Sequence, residues 1–298
     1  MATYRLLTPP DEREEIYPYR RVWTSVVIES GILFGIAAII YVLVNFIGIP
    51  IPGILARPLN VILALLPAGL WLVFSLWRER SAVEPRRRLF AVALITALAA
   101  NAIAIPFIET VLQPERWLSL SNAVGRVIGY TFTIGVVQEV LKYIVVRYLV
   151  WDDELRVRLD SIAYTLASAV GYITVLNLSF VFSNTVTPDI AAMHIVDNVA
   201  ANIAASLIVG YGLAEVRFDN PNPFLLTSMM ALAALINGLL VPLRAGLVNA
   251  GFSLLGATPN LLFGFVLSAA ALAAIMFAIS FLFNAAERRA REAAAREV

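Results

Sequence analysis

Long apolar stretches recur along this 298-residue chain and most limit how it can fold. Each comes close to the roughly 20 apolar residues that a helix needs to cross a bilayer. They lie near 22–48, 59–77, 89–112, 122–150, 161–183, 189–214, 224–248 and 260–285. Helices are expected because other elements would leave backbone groups unpaired in lipid. The sequence therefore predicts an all-α polytopic membrane bundle with about eight transmembrane helices.

The arginines predict the orientation of this bundle. They concentrate in one alternate set of loops, whereas the other set holds only Arg57, Arg116 and Arg244. Because cytoplasmic loops are enriched in basic residues, both termini are expected in the cytoplasm, and the protein in a bacterial plasma membrane. We predict a cytoplasmic N-terminal segment over 1–21, a transmembrane domain over 22–285 and a cytoplasmic helical tail over 286–298.

The composition excludes several kinds of functional site. The chain has no cysteine, which removes disulfides, thiolate zinc sites and cysteine nucleophiles. Its single histidine, His194, excludes a multi-histidine metal site within the chain. A net charge of +1 and the lack of a basic patch interleaved with aromatics give no basis for nucleic-acid binding. The expected partners are the lipid bilayer, other transmembrane helices and subunits of a membrane complex.

The only lysine of the chain lies within the fourth predicted span, in the run Gln138-Glu139-Val140-Leu141-Lys142. Glu139 and Lys142 are spaced i,i+3, and Gln138 and Lys142 i,i+4, so the three side chains share a helix face. Charges inside a membrane are costly unless they are paired or face a polar interior. Two interpretations stay open: a locally neutralised pair, or a carboxylate acting as metal ligand or general base beside a cation that sets its pKa.

A second polar stripe lies on the sixth predicted span. His194, Asp197, Asn198 and Asn202 recur at helical spacing, so they lie along one side of the helix. Asp197 could orient the imidazole of His194 or bind a metal with it. We prefer a hydrogen-bonded His–Asp pair inside the bundle, because one histidine and one aspartate do not suffice as a metal site.

Small residues also recur four apart, as in Gly31/Gly35 and Gly125/Gly129. Such pairs allow two membrane helices to approach closely. We prefer packing within this chain over dimerisation as the explanation for both pairs.

The run from Gln138 to Lys142 resembles the Glu-Glu-x-x-Lys motif of PrsW-type intramembrane proteases. Two later segments resemble the second and third motifs of that family. They are Asp160 with Tyr164, Gly171-Tyr172 and Leu176-Asn177, and Asn202 followed by Gly210-Tyr211-Gly212-Leu213-Ala214. The resemblance covers roughly residues 135–215, within a predicted core of 122–215, and the eight-span layout also suits the family.

The resemblance implies an intramembrane metalloprotease, but three motif positions are substituted. Gln138 occupies the position of the family's first glutamate, Leu176 that of its second-motif glutamate, and Asn202 that of its histidine. Glu139 and Lys142 remain as candidate catalytic residues. We therefore expect a non-catalytic scaffold that binds helices or belongs to a membrane complex, with no metal or other cofactor.

Two alternatives remain open at the level of the sequence. One is an active intramembrane metalloprotease with a rearranged zinc site built from Glu139, His194 and Asp197. The other is a transporter or channel in which the Glu139/Lys142 and His194/Asp197 pairs line the path.

Overall fold

The computed structural model describes residues 20–80, 85–118, 121–151, 153–219, 222–245 and 261–296. These residues form eight long helical segments and no strand, which confirms the all-α prediction. We number them α1 Arg20–Asn45, α2 Gly53–Glu79, α3 Leu89–Leu118, α4 Ala123–Tyr130 continued by Thr131–Gly135 and Val136–Val150, α5 Arg158–Ser183, α6 Pro188–Phe218, α7 Pro223–Ala245 and α8 Leu261–Arg296. Residues 1–19 of the predicted N-terminal segment lie outside the described residues.

Seven of these eight helices are long and apolar enough to be candidate membrane spans among the described residues. The exception is α4, which the sequence analysis counted as an eighth span. Gln138, Glu139 and Lys142 lower the mean hydropathy of α4, and these side chains point into protein. Burial of polar groups against other helices therefore explains why α4 is less apolar than its neighbours.

Helix α6 is the centre of the bundle. Its most apolar membrane-length window is 94% buried inside the protein, compared with 22% for the corresponding windows of α1 and α8. Helices α1, α2, α5, α7 and α8 all pack against it. Polar side chains on α6 therefore face protein rather than lipid, which is the condition for placing them in the middle of a membrane protein.

Close contact between α3 and α5 depends on one glycine. A Cβ added at Gly171 of α5 would lie 2.0 Å from the backbone oxygen of Ala93 on α3. Backbone cannot move aside as a flexible side chain can, so any larger residue must separate the two helices.

Substituting this glycine is expected to destabilise the fold. Gly171→Ala should lower the free energy of unfolding by about 1–3 kcal/mol through overpacking, measured by denaturation of the purified protein in detergent. Gly69→Ala on α2 is the matched control, because a Cβ there meets no atom within 4 Å. Equal stability of the two variants would contradict the described α3–α5 contact.

The two glycine pairs singled out in the sequence differ in their surroundings. A Cβ at Gly129 would lie 2.2 Å from Leu118, and one at Gly125 would lie 3.1 Å from Asn122. At Gly31 and Gly35 a Cβ would meet nothing within 4 Å among the described residues. Packing within the chain thus explains the second pair, whereas no packing partner for Gly31/Gly35 is found among the described residues.

Candidate functional site

Glu139 and Lys142 form a buried ion pair on α4. The Lys142 Nζ lies 2.6 Å from the Glu139 Oε1. Glu139 is 1% exposed and Lys142 is 4% exposed, so neither charge reaches lipid or bulk water. The i,i+3 spacing expected from the sequence therefore brings a carboxylate and an ammonium into direct contact.

Asn237 of α7 also binds the Glu139 carboxylate. Its Nδ2 donates a hydrogen bond of 2.7 Å to the Glu139 Oε1. The two residues are 98 positions apart, so the sequence carries no signal that joins them.

Two glycines make this approach of α4 and α7 possible. A Cβ at Gly135 would lie 2.2 Å from the Ala234 backbone oxygen, and one at Gly238 would lie 2.1 Å from the Thr131 Oγ1. Residues Thr131–Gly135 form a π-helical turn just before the polar run. Such turns occur often at functional sites, and here the turn packs against α7 together with the preceding segment Ala123–Tyr130.

The ammonium of Lys142 has further partners on α6. Its Nζ donates to the Asn202 Oδ1 at 3.1 Å and to the Ser206 Oγ at 3.4 Å. An ammonium has three N–H donors, and with Glu139 all three are matched by acceptors. We refer to Glu139, Lys142, Asn202, Ser206 and Asn237 as the core network.

Hydrogen bonds extend the core network along α6 to α5. The Asn202 Nδ2 donates to the backbone oxygen of Asn198 at 3.1 Å. The Asn198 Nδ2 in turn donates to the Asn177 Oδ1 at 3.0 Å. These amides are buried, so a continuous polar chain links α7, α4, α6 and α5 inside the bundle.

The other substituted motif positions lie where α4 meets α5. Gln138 is 4% exposed, and its side chain faces the buried hydroxyl of Tyr172. Leu176 packs against the apolar cluster that contains Tyr172, together with Leu141. The motif positions on α4 and α5 are thus brought together, but two of them present an amide and a hydrocarbon side chain rather than carboxylates.

His194 and Asp197 lie apart from the core network. The ring of His194 stacks on Phe180 with 3.7 Å between the ring centroids. Asp197 faces α8, where a Cβ at Gly264 would lie 3.3 Å from its Oδ2. Among the described residues, no three His, Asp or Glu side chains are grouped so that they could hold a metal ion. Glu139, His194 and Asp197 therefore do not converge.

Asp160, the first residue of the second motif, has a structural role at the start of α5. Its Oδ2 accepts hydrogen bonds from the backbone N–H groups of Arg156 and Val157 at 2.8 and 2.9 Å. Its Oδ1 lies 2.6 Å from the Arg86 Nε. Burial by itself would lower the pKa of Arg86, but the carboxylates of Asp160 and Glu79 outweigh that effect and raise it. Asp160 thus caps a helix and anchors the loop before α3.

The donor set at the motif positions does not fit a catalytic zinc ion. Such an ion normally has three protein ligands from histidine, cysteine, aspartate or glutamate. Here the positions supply Glu139, whose Oε1 is bound by Lys142 and Asn237, two neutral amides and Leu176. A metal bound to the Glu139 carboxylate would lie beside the Lys142 ammonium, whose positive charge opposes the binding of a cation.

The chain matches the model of one protein family. The model of a family described as PrsW family intramembrane metalloprotease matches residues 84–282. The match is longer than the segment 135–215, which carries the motif resemblance, and it extends from α3 into α8. No curated protein and no solved structure matches the chain.

Proposed function

The chain belongs to the PrsW family of intramembrane metalloproteases, and from this premise we propose that it is a non-catalytic scaffold that binds other transmembrane helices. The observation that carries the proposal is the core network. Where the family motif calls for metal ligands, this chain has a neutralised ion pair held by two asparagines and a serine.

The state of Glu139 supports the absence of proteolysis. Peptide hydrolysis requires an activated water and a group that protonates the leaving amine. Glu139 is 1% exposed, and its Oε1 is bound by Lys142 and Asn237. Lys142 and Asn237 therefore occupy one oxygen of the carboxylate, and burial closes the other oxygen to bulk water. No observation favours the rearranged zinc site, since His194 and Asp197 point elsewhere.

The outer face of α1 supports helix binding. Gly31 and Gly35 are spaced four apart, and a Cβ added at either would meet no atom within 4 Å in the described part of the chain. Val27 and Ile39 continue the same face and are 57% and 60% exposed. Pairs of small residues at this spacing let the backbones of two membrane helices come close together. We therefore assign this face, Val27, Gly31, Gly35 and Ile39, as the helix-binding face.

The arginine distribution supports a plasma-membrane location with both termini in the cytoplasm. The arginine-rich segments of the sequence alternate with arginine-poor ones along the predicted spans, and such enrichment is typical of cytoplasmic segments.

Catalysis is tested with the purified protein reconstituted in lipid nanodiscs. Peptides that contain a transmembrane segment should be cleaved no faster than in a sample without the protein. Cleavage by the wild type that Glu139→Gln abolishes would overturn the proposal.

Helix binding is tested by a photocrosslinking amino acid placed at Ile39 in cells. The wild-type protein should form adducts with another membrane protein or with a second copy of itself. Gly31→Ile together with Gly35→Ile should lower the adduct yield about tenfold, equivalent to about 1.4 kcal/mol of association free energy. Gly69→Ile, at an exposed glycine of α2, is the matched control and should leave the yield unchanged. Equal yields in all three proteins would exclude the helix-binding face.

A further inference from the structure

A cavity of about 690 Å³ opens at the end of the bundle opposite the arginine-rich loops. It lies between the connection from α1 to α2 and the connection from α5 to α6. Its volume is within the range of small-molecule binding sites. The core network contributes none of its lining, so this cavity is separate from the site described above.

Two buried side-chain oxygens in the lining lack a well-aligned hydrogen bond among the described residues. They are the Oδ1 of Asn60 and the Oδ1 of Asp189, on side chains that are 3% and 5% exposed. Buried polar atoms are normally paired, because an unpaired one loses its hydrogen bonds to water without compensation.

The other polar atoms of these two side chains are held in place. The Asn60 Nδ2 donates to the Val186 backbone oxygen at 2.9 Å. The Asp189 Oδ2 accepts a hydrogen bond from the Asn45 Nδ2 at 3.0 Å. Both side chains are therefore oriented by contacts at this end of the bundle. The Asp189 carboxylate also lies near the Thr187 hydroxyl and the backbone N–H groups of Asp189 and Ile190, so the ammonium of a ligand would add to these donors.

We propose that this cavity binds the headgroup of an aminophospholipid, with its primary ammonium at Asn60 and Asp189. An ammonium supplies N–H donors and a positive charge, which match an amide oxygen and a carboxylate. The exposed Arg57 also lines the cavity and provides a cation for the phosphate of the same headgroup.

The surroundings favour a lipid over a small hydrophilic amine. Val44, Ile49 and Phe182 line the same cavity, and Ile49 and Phe182 are 47% and 58% exposed. These apolar side chains lie at the ends of membrane helices, where the glycerol and upper acyl chains of a lipid would be located. Among the described lining residues Asp189 is the one carboxylate, which is too few for a calcium site.

Binding is tested by native mass spectrometry of the detergent-solubilised full chain with defined lipids added at equal concentration. Phosphatidylethanolamine should bind about tenfold more tightly than phosphatidylcholine. The choline headgroup keeps the positive charge but has no N–H donor, so equal binding of the two lipids would overturn the proposal. Free phosphoethanolamine tests the contribution of the headgroup alone. If it binds as tightly as the whole lipid, the assignment to a lipid is wrong.

The variant Asp189→Asn should abolish the preference for phosphatidylethanolamine. Glu109→Gln is the matched control, because Glu109 is an exposed carboxylate outside the lining, and it should keep the preference. If Asp189→Asn does not fold, Arg57→Gln provides a second test at an exposed position. It should weaken the binding of phosphatidylethanolamine, and unchanged binding would contradict the placement of the phosphate.

Discussion

Replacing Lys142 by methionine is expected to lower the free energy of unfolding by about 3–5 kcal/mol. Removing one member of a buried ion pair leaves the other charge without a partner, and this costs more than the pair itself contributes. In this chain Glu139 would remain 1% exposed with only Asn237 as a donor from the core network. Asn202 and Ser206 would also lose the donor that they share.

A double-mutant cycle tests whether this loss comes from the pair. Glu139→Gln should also destabilise the protein, and the combined variant Glu139→Gln/Lys142→Met should lose clearly less than the sum of the two single losses. Reversible unfolding in mixed micelles gives the free energies of unfolding of the wild type and the three variants. Asp153→Asn is the control, because the ion pair of Asp153 with Arg88 is 3.7 Å long and exposed. Removing this exposed ion pair should lower the free energy of unfolding by less than about 1 kcal/mol. Additive losses from Glu139 and Lys142 would show that the two residues are not coupled.

Zinc binding is expected to appear when the three substituted motif positions receive the residues of the family. The variant Gln138→Glu, Leu176→Glu, Asn202→His would place two glutamates and a histidine beside Glu139. Three protein ligands of these types suffice for a zinc ion with one open position. About one zinc per chain should be retained after dialysis against a weak chelator, compared with nearly none in the wild type. Elemental analysis of the purified proteins measures this ratio.

The position of the histidine provides the control for this experiment. Asn198→His in place of Asn202→His moves the imidazole by four residues, about 6 Å along α6. The control variant should retain little zinc although its ligand types are the same. Equal zinc in both variants, or none in either, would contradict the correspondence between this chain and the family motif.

Much of the candidate site could be predicted from local spacing. The i,i+3 relation of Glu139 and Lys142 depends only on helix geometry, and the ion pair follows from it. The same reasoning placed Asn198 and Asn202 on one side of α6, where they do face the bundle interior. Local spacing could not distinguish which residues of that stripe meet α4. Asn202 contacts Lys142, whereas His194 lies two turns away against Phe180.

The sequence by itself determined the all-helical architecture, because long apolar runs leave helices as the way to pair the backbone in lipid. It also determined the family, through motifs whose residues are close along the chain. Only the tertiary structure decided that Asn237 binds Glu139, that the described residues leave the outer face of α1 uncovered and that Asn60 and Asp189 line one cavity. These relations depend on how helices distant in sequence cross and how closely their backbones approach, and helical periodicity carries no information about either.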